Sequence, residues 1–276
     1  MSLFLSRVKL IASLGLKEVI LVTIYRVMIK LSLHPVCKVK SHIPTGSFFS
    51  KSQLPRSDLP AVSSWQDYGS LFSHIKFPLG NCPPDWLANP ISGDSGDRSL
   101  LPWWKISDFD DATGDVKLIW EQSRMDWVLA FAQRARNGDK HSLVRLNSWL
   151  TDWLAKNPPY LGANWKCGQE ASIRVIHLCS AALILGQELQ PLPSLRHLVD
   201  LHLRRIAPTI HYAMAQNNNH GTSEAAALYI GGSFLSSNGL KDGERWEKLG
   251  RDWLENRSDK LIENDGSFSQ YSLNYH

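Results

Sequence analysis

From Asp115 onward, apolar residues recur at the three- and four-residue spacing of amphipathic helices. Trp120, Trp127, Val128, Phe131 and Ala135 share one predicted face, and Gly138 stops that helix. Leu143, Leu146, Leu150, Trp153 and Leu154 make the next, closed by Asn157-Pro158-Pro159. Ile173, Ile176, Ser180 and Leu183 mark one side of a third, ended by Gly186 and the Pro191/Pro193 pair. Leu195, Leu198, Leu201 and Ile206 mark a fourth, which Pro208 kinks or restarts before Ala215. Glu224 to Phe234 is a fifth, whose Ala and Gly let another helix come close. A sixth runs from Trp246 to Ile262, with Trp246, Leu249, Trp253 and Leu261 near one stripe. No convincing period-two run follows residue 110, so the fold class is mainly α. Short connections predict antiparallel helix pairs. Periodicity alone leaves a bundle, a solenoid and a ring of paired helices open.

The first third reads differently. Within residues 1–33, Leu16, Ile20, Ile24, Val27 and Leu31 recur at helical spacing among Arg7, Lys9, Lys17, Glu18, Arg26 and Lys30. This predicts an amphipathic basic helix, packed on the body of the protein or lying weakly on a membrane surface. The uncharged run Val19 to Tyr25 is shorter than the roughly 20 residues of a membrane span. No signal-peptide arrangement is visible. Residues 34–110 carry a proline every few positions, which predicts an ordered but irregular arm over the helical body, with Ile75 to Leu79 extended. The helical domain then occupies residues 111–276.

Composition narrows the chemistry. Lys plus Arg number 30 against 26 Asp plus Glu, a net charge of +4 without a long basic block, so nucleic acid is not an expected partner. The 11 Trp are either helix-packing residues or flat platforms for sugar rings. Cys37, Cys82, Cys167 and Cys179 contain no CxxC pair, and Cys167 and Cys179 read as packed thiols.

Three segments concentrate polar chemistry. The first, residues 157–174, brings Asn164, Trp165, Gln169, Glu170 and Arg174 to a helix start. Glu170 and Arg174, four apart, are expected to pair. They then either brace helix packing or aim the arginine at an acidic sugar, with Trp165 as a stacking platform. The second, Gln216 to Glu224, holds Asn217, Asn218, Asn219, His220 and Glu224. It is a capped polar loop, or a cleft wall if the helix reaches back to the Asn run, which puts His220 and Glu224 on one face. Two candidate ligands, His220 and Glu224, are too few for a zinc site, and no metal is expected. The third is the C-terminal Asp265-Gly266 turn followed by Tyr271, Tyr275 and His276.

Together with Asp115 to Arg124, these segments carry a resemblance. Gly162-x-Asn-Trp-x-x-x-Gln-Glu-x-x-x-Arg174, Asn218-Asn-His-x-x-x-Glu224 and Asp265-Gly-Ser-Phe…Asn-Tyr-His276 resemble the N-terminal helical domain of the heparinase II/III-like polysaccharide lyases. The likeness covers roughly residues 80 to 276. It implies an incomplete (α/α) toroid followed, in full-length family members, by a β-sandwich domain ahead of which this sequence stops. It also implies β-elimination on a uronic-acid polysaccharide, without a cofactor, and weak or no activity in this fragment. Many family members are periplasmic.

In such a step the substrate carboxylate must be neutralised, the C5 proton removed and the leaving oxygen protonated. The resemblance implies Asn219 or His220 as neutraliser and Tyr275 as base and acid, with Tyr271 as the nearby alternative. It further implies Asn164, Trp165, Gln169, Glu170, Arg174, Asn218, Glu224 and His276 as cleft residues. Other classes stay open: a non-catalytic domain that binds acidic glycans, an (α/α) glycoside hydrolase using Glu170 and Glu224 as its carboxylate pair, or a purely structural helical scaffold.

Overall fold

A computed structural model describes residues 15–52, 67–96, 98–111 and 113–267. Tyr271, Tyr275 and His276 lie outside the described residues. The chain is mainly helical, as its periodicity predicts. Helix α1 spans Leu16–Lys30. An antiparallel hairpin of β1 (Tyr68–Leu71) and β2 (Ile75–Pro78) follows, in the register Tyr68 to Pro78. A smaller hairpin joins β3 (Phe109–Asp110) to β4 (Gly114–Asp115).

Eight helices complete the described body. They are α2 (Val116–Trp120), α3 (Asp126–Arg136), α4 (Lys140–Lys156), α5 (Gly168–Leu185), α6 (Pro193–Ile206), α7 (Ile210–Ala215), α8 (Asn219–Ser236) and α9 (Lys241–Leu261). Helix α5 packs on α3, α6 and α8, and α8 packs on α9, so α5 and α8 form the centre. The α8–α9 approach is backbone to backbone. A Cβ at Gly232 would meet the Glu247 backbone nitrogen at 2.3 Å, and one at Gly250 would meet that of Tyr229 at 2.3 Å. The small residues expected to admit a neighbouring helix do so.

Local chemistry sets the boundaries. Asp139 caps α4 by accepting from the backbone N–H groups of His141 and Ser142. Gly186 ends α5 in the left-handed conformation that costs glycine least. Pro208 lies in a 3-10 turn, Ala207–Thr209, that separates α6 from α7.

Several expectations need correction. Trp120 and Trp127 do not share a helix, because Met125 takes a left-handed turn (φ 65°) between α2 and α3. The Ile173–Ile176–Ser180–Leu183 stripe is not the packed side of α5. Leu183 is exposed, and the buried side instead carries Glu170, Arg174, Val175 and Leu178. Aliphatic periodicity misassigned this face because a buried arginine and carboxylate occupy core positions. Helix α8 begins at Asn219, five residues ahead of the expected start, because the Asn218 side chain accepts from the His220 N–H. The arm lies against the helices and contributes to their core. Val36, Phe48, Phe49, Leu79, Trp86 and Trp103 enter the same core as the helices. Carboxamides stitch it in place: Asn147 Oδ1 accepts from the N–H groups of Phe48 and Phe49, and Gln187 Oε1 from that of Ser50.

Most of the tryptophans are packing residues. Trp86, Trp127 and Trp149 cluster with Phe131, with Trp127 and Trp149 centroids 5.3 Å apart. Asp152 accepts the Trp86 indole N–H at 2.7 Å, and Ser123 accepts that of Trp153 at 3.0 Å. Satisfied indoles of this kind belong to a core, where burial would otherwise strand the N–H.

Candidate functional site

The N-terminal ends of α5 and α8 meet beside α7, and a cavity of about 470 Å³ opens there. That volume suits a small ligand or a short stretch of polymer. His220 and Glu224 enter from the first turns of α8, Lys166 and Gly168 from the start of α5, Arg205 from the end of α6, and Tyr212 from α7. Lys117 and Phe109 enter from the β3–α2 region, and Tyr25 and Arg26 from α1.

The polar floor has an unusual charge balance. Glu224 is 3% exposed and packs directly on Gly168. Its Oε2 has no hydrogen-bond partner among the described residues, and its Oε1 lies 4.0 Å from His220 Nδ1. Burial raises its pKa to about 8, against the opposing pull of the Arg205 charge. His220 is pushed below the usual imidazole value, mainly by burial. At neutral pH the floor is therefore a largely protonated carboxyl beside a neutral imidazole.

Cationic groups surround it. Arg205 is 2% exposed and donates to the carbonyls of Trp165 and Lys166, at 2.8 and 2.6 Å, and to Thr209 Oγ1. Its guanidinium lies over the Trp103 ring at 3.8 Å. Among the described residues no carboxylate lies within ion-pair distance of it. Its positive charge is therefore held by dipoles rather than cancelled, and it reaches the cavity. Lys166 is tethered to Asp108 at 2.9 Å and to the Ile106 carbonyl. Lys117 is mostly exposed and lies 3.7 Å from Asp115, the residue that caps α2. Phe109, 72% exposed, gives an apolar face at the mouth, while Tyr25 stacks on Tyr212 with centroids 3.9 Å apart.

The two internal polar segments do not converge as expected. His220 and Glu224 line the cavity on one helix face. Asn219 is half-buried at the first turn and is not part of the lining. Asn218 caps α8, and Asn217 accepts from Arg257 Nη1 at 3.0 Å, in a left-handed turn with φ 48°. Trp165 cannot stack on a sugar. It is fully buried, its indole N–H donates to the Asn157 carbonyl, and it packs on Tyr160 and His202. Asn164 is also in the core, donating to the Trp86 carbonyl and to Asn157 Oδ1.

Arg174 is not held by Glu170 and does not face a cleft. It is fully buried, donating from Nε to His202 Nε2 at 2.9 Å and from Nη2 to the Asn164 carbonyl at 2.7 Å. Its guanidinium lies over the Trp153 and Trp165 rings. Burial lowers its pKa to about 10. Glu170 instead takes a two-pronged pair from Arg124, Nε to Oε2 at 2.9 Å and Nη2 to Oε1 at 3.0 Å. Gln169 is half-buried outside the cavity lining. The packing alternative weighed for the two was an interhelical ion pair: Glu170 makes one with Arg124, whereas Arg174 is held in the core by hydrogen bonds to His202 and the Asn164 carbonyl.

Sequence reasoning missed Arg205, Lys166, Lys117, Tyr212 and Phe109. For Arg205 a signal existed: it falls one turn after Leu201 on the buried stripe of α6, where a charge needs a reason. Cys167 also borders the cavity, but burial pushes its thiol up to about 12, which makes it a poor nucleophile. Among the described residues no group of three or more His, Cys, Asp and Glu side chains is placed to hold a metal ion. No family model, curated protein or solved structure matches this chain.

Proposed function

We propose that this chain is the helical, substrate-holding domain of a polysaccharide lyase that cleaves uronate-containing glycans by β-elimination. One observation carries the reading: the cavity combines the positive charge of Arg205, which has no carboxylate partner among the described residues, with a buried carboxyl, Glu224, whose raised pKa keeps it largely neutral, while the two aspartates of the lining, Asp108 and Asp115, are held by Lys166 and Lys117. An exposed aromatic, Phe109, stands at the mouth for a sugar face. The order of helix contacts also supports an incomplete (α/α) toroid. Helices α3, α5 and α8 touch in succession, and each packs on the helix that follows it or its pair, α4, α6 and α9.

In this reading the substrate carboxylate accepts hydrogen bonds from Glu224 and His220 near the Arg205 charge. That withdraws electron density and acidifies the C5 proton, the more so as the enolate-like state forms. His220, which lines the cavity, is the neutraliser, and Asn219 is set aside. Tyr275 remains the base by the resemblance alone. As a phenolate it takes the C5 proton, the C4–O bond breaks with its electron pair on the leaving oxygen, and the same phenol returns a proton there.

The hydrolase alternative needs Glu170 and Glu224 on one substrate, whereas Glu170 is engaged by Arg124. Because only weak activity is expected, the discriminating experiment is prolonged incubation of uronate polymers with a high concentration of the protein while following ultraviolet absorbance. Elimination yields an absorbing unsaturated uronate, lost in Tyr275→Phe and reduced by roughly a hundredfold or more in His220→Ala. New reducing ends without that absorbance would mean hydrolysis and would overturn the reading.

A further inference from the structure

Helix α1 meets the body by the side opposite its apolar stripe. Glu18, Val22, Tyr25 and Ile29 centre the half-buried side, with Val19 and Met28 at its edges, Tyr25 stacked on Tyr212 and Ile29 packed against the core. Leu16, Ile20, Ile24, Val27 and Leu31 are 67, 48, 51, 51 and 60% exposed. The expectation that this stripe packs on the protein is therefore corrected: the helix is packed, and its most regular apolar face points away. Ordering such a row toward water loses the burial that usually justifies it, so a cover is called for.

We infer that this face lies on an anionic phospholipid bilayer. Charge selects the occupant. At 3.6 residues per turn, Lys17 and Lys30 fall on either side of the stripe, and Arg26 lies beyond Lys30 on the same flank. All three are exposed, while the one acidic residue of α1, Glu18, is on the body side. An aliphatic strip bordered by lysines matches acyl chains below and phosphates beside them. A protein partner would ordinarily meet aromatic anchors, and the aromatic residue of α1 faces inward.

The helix lies on the surface rather than crossing the bilayer. The segment Leu16–Lys38 is long and apolar enough to cross a membrane, with a mean hydropathy of 1.5. But crossing would break the Tyr25–Tyr212 stack and pull Val36, 1% exposed, from the core. The same helix lends Tyr25 and Arg26 to the cavity wall, so the cavity sits close to the bilayer.

The test is flotation of the full chain with vesicles of phosphatidylcholine alone or mixed with phosphatidylglycerol. The protein should float with the mixed vesicles, less so at high salt, and poorly with the neutral ones. The exposed triple variant Ile20→Ser, Ile24→Ser, Val27→Ser, with an unchanged near-ultraviolet circular dichroism spectrum, should reduce the bound fraction by more than about tenfold. Lys17→Glu with Lys30→Glu should abolish the preference for anionic lipid. Three results would overturn the inference. One is flotation that is unaltered in the triple variant. Another is association that resists alkaline extraction, which indicates a span. The third is absence of lipid binding together with a dimer that the triple variant dissolves, which makes a second copy the cover.

Discussion

The Glu224 carboxyl rests so closely on Gly168 that a methyl group there would meet its Oε1 at 2.5 Å and its Oε2 at 2.7 Å. The two residues join the starts of α5 and α8, and their contact fixes where the carboxyl sits in the cavity. Gly168→Ala should cost about 1–3 kcal/mol through overpacking. In a Glu224→Ala background most of that cost should disappear, because the obstructing group is gone. Urea denaturation of the four proteins measures the coupling, and additive effects would mean that the carboxyl moves aside without strain.

Glu224 and His202 should give stability a plateau in pH. Glu224 has its native pKa raised from 4.5 to about 8, so the native state holds the proton more tightly. Its contribution is complete below pH 4.5 and is lost as pH rises toward 8. His202 has its native pKa lowered from 6.5 to about 3, by burial and the Arg174 charge, so stability is lost as pH falls from 6.5 toward 3. Between 4.5 and 6.5 the two slopes oppose. Each limb should span on the order of a few kcal/mol. Glu224→Gln should flatten the alkaline limb and His202→Gln the acid one, read as urea midpoints across pH. An alkaline limb unchanged by Glu224→Gln would show that another group is responsible.

Trp165 and Phe109 should behave oppositely. Trp165 is fully buried, and Trp165→Ala should destabilise by about 3–5 kcal/mol. The milder Trp165→Phe should leave glycan affinity within about twofold of wild type, since no ligand reaches the ring. Phe109 is 72% exposed, so Phe109→Ala should change stability by no more than about 0.5 kcal/mol while weakening glycan binding several-fold. Thermal melts and calorimetry on the same samples separate the two effects.

The sequence made the helices legible where aliphatic residues mark the buried side, as in α4 with Leu146, Leu150 and Leu154. It failed on α5, whose packed side uses Glu170, Arg174 and alanines, so the aliphatic stripe on the other side drew the eye. The same physics hid the site. His220 and Glu224 stood out because polar groups crowd a helix start. Arg205 and Tyr212 lie close to each other in the chain, but Lys166 is 39 residues before Arg205, and only tertiary packing brings the set together. Trp165 misled because tryptophan serves equally as a core residue and as a sugar platform, and its neighbours in space decide which.

The central claim is that the cavity accepts an acidic sugar. Titration calorimetry with a uronate oligosaccharide and its neutral counterpart tests it most directly. The account predicts that the acidic ligand binds at least about tenfold more tightly, and that the advantage shrinks with added salt. It predicts that His220→Ala, and Lys117→Ala on the exposed rim, each remove part of that advantage while thermal stability is kept. Equal affinity for the two ligands, or an acidic preference that survives both substitutions unchanged, would contradict it.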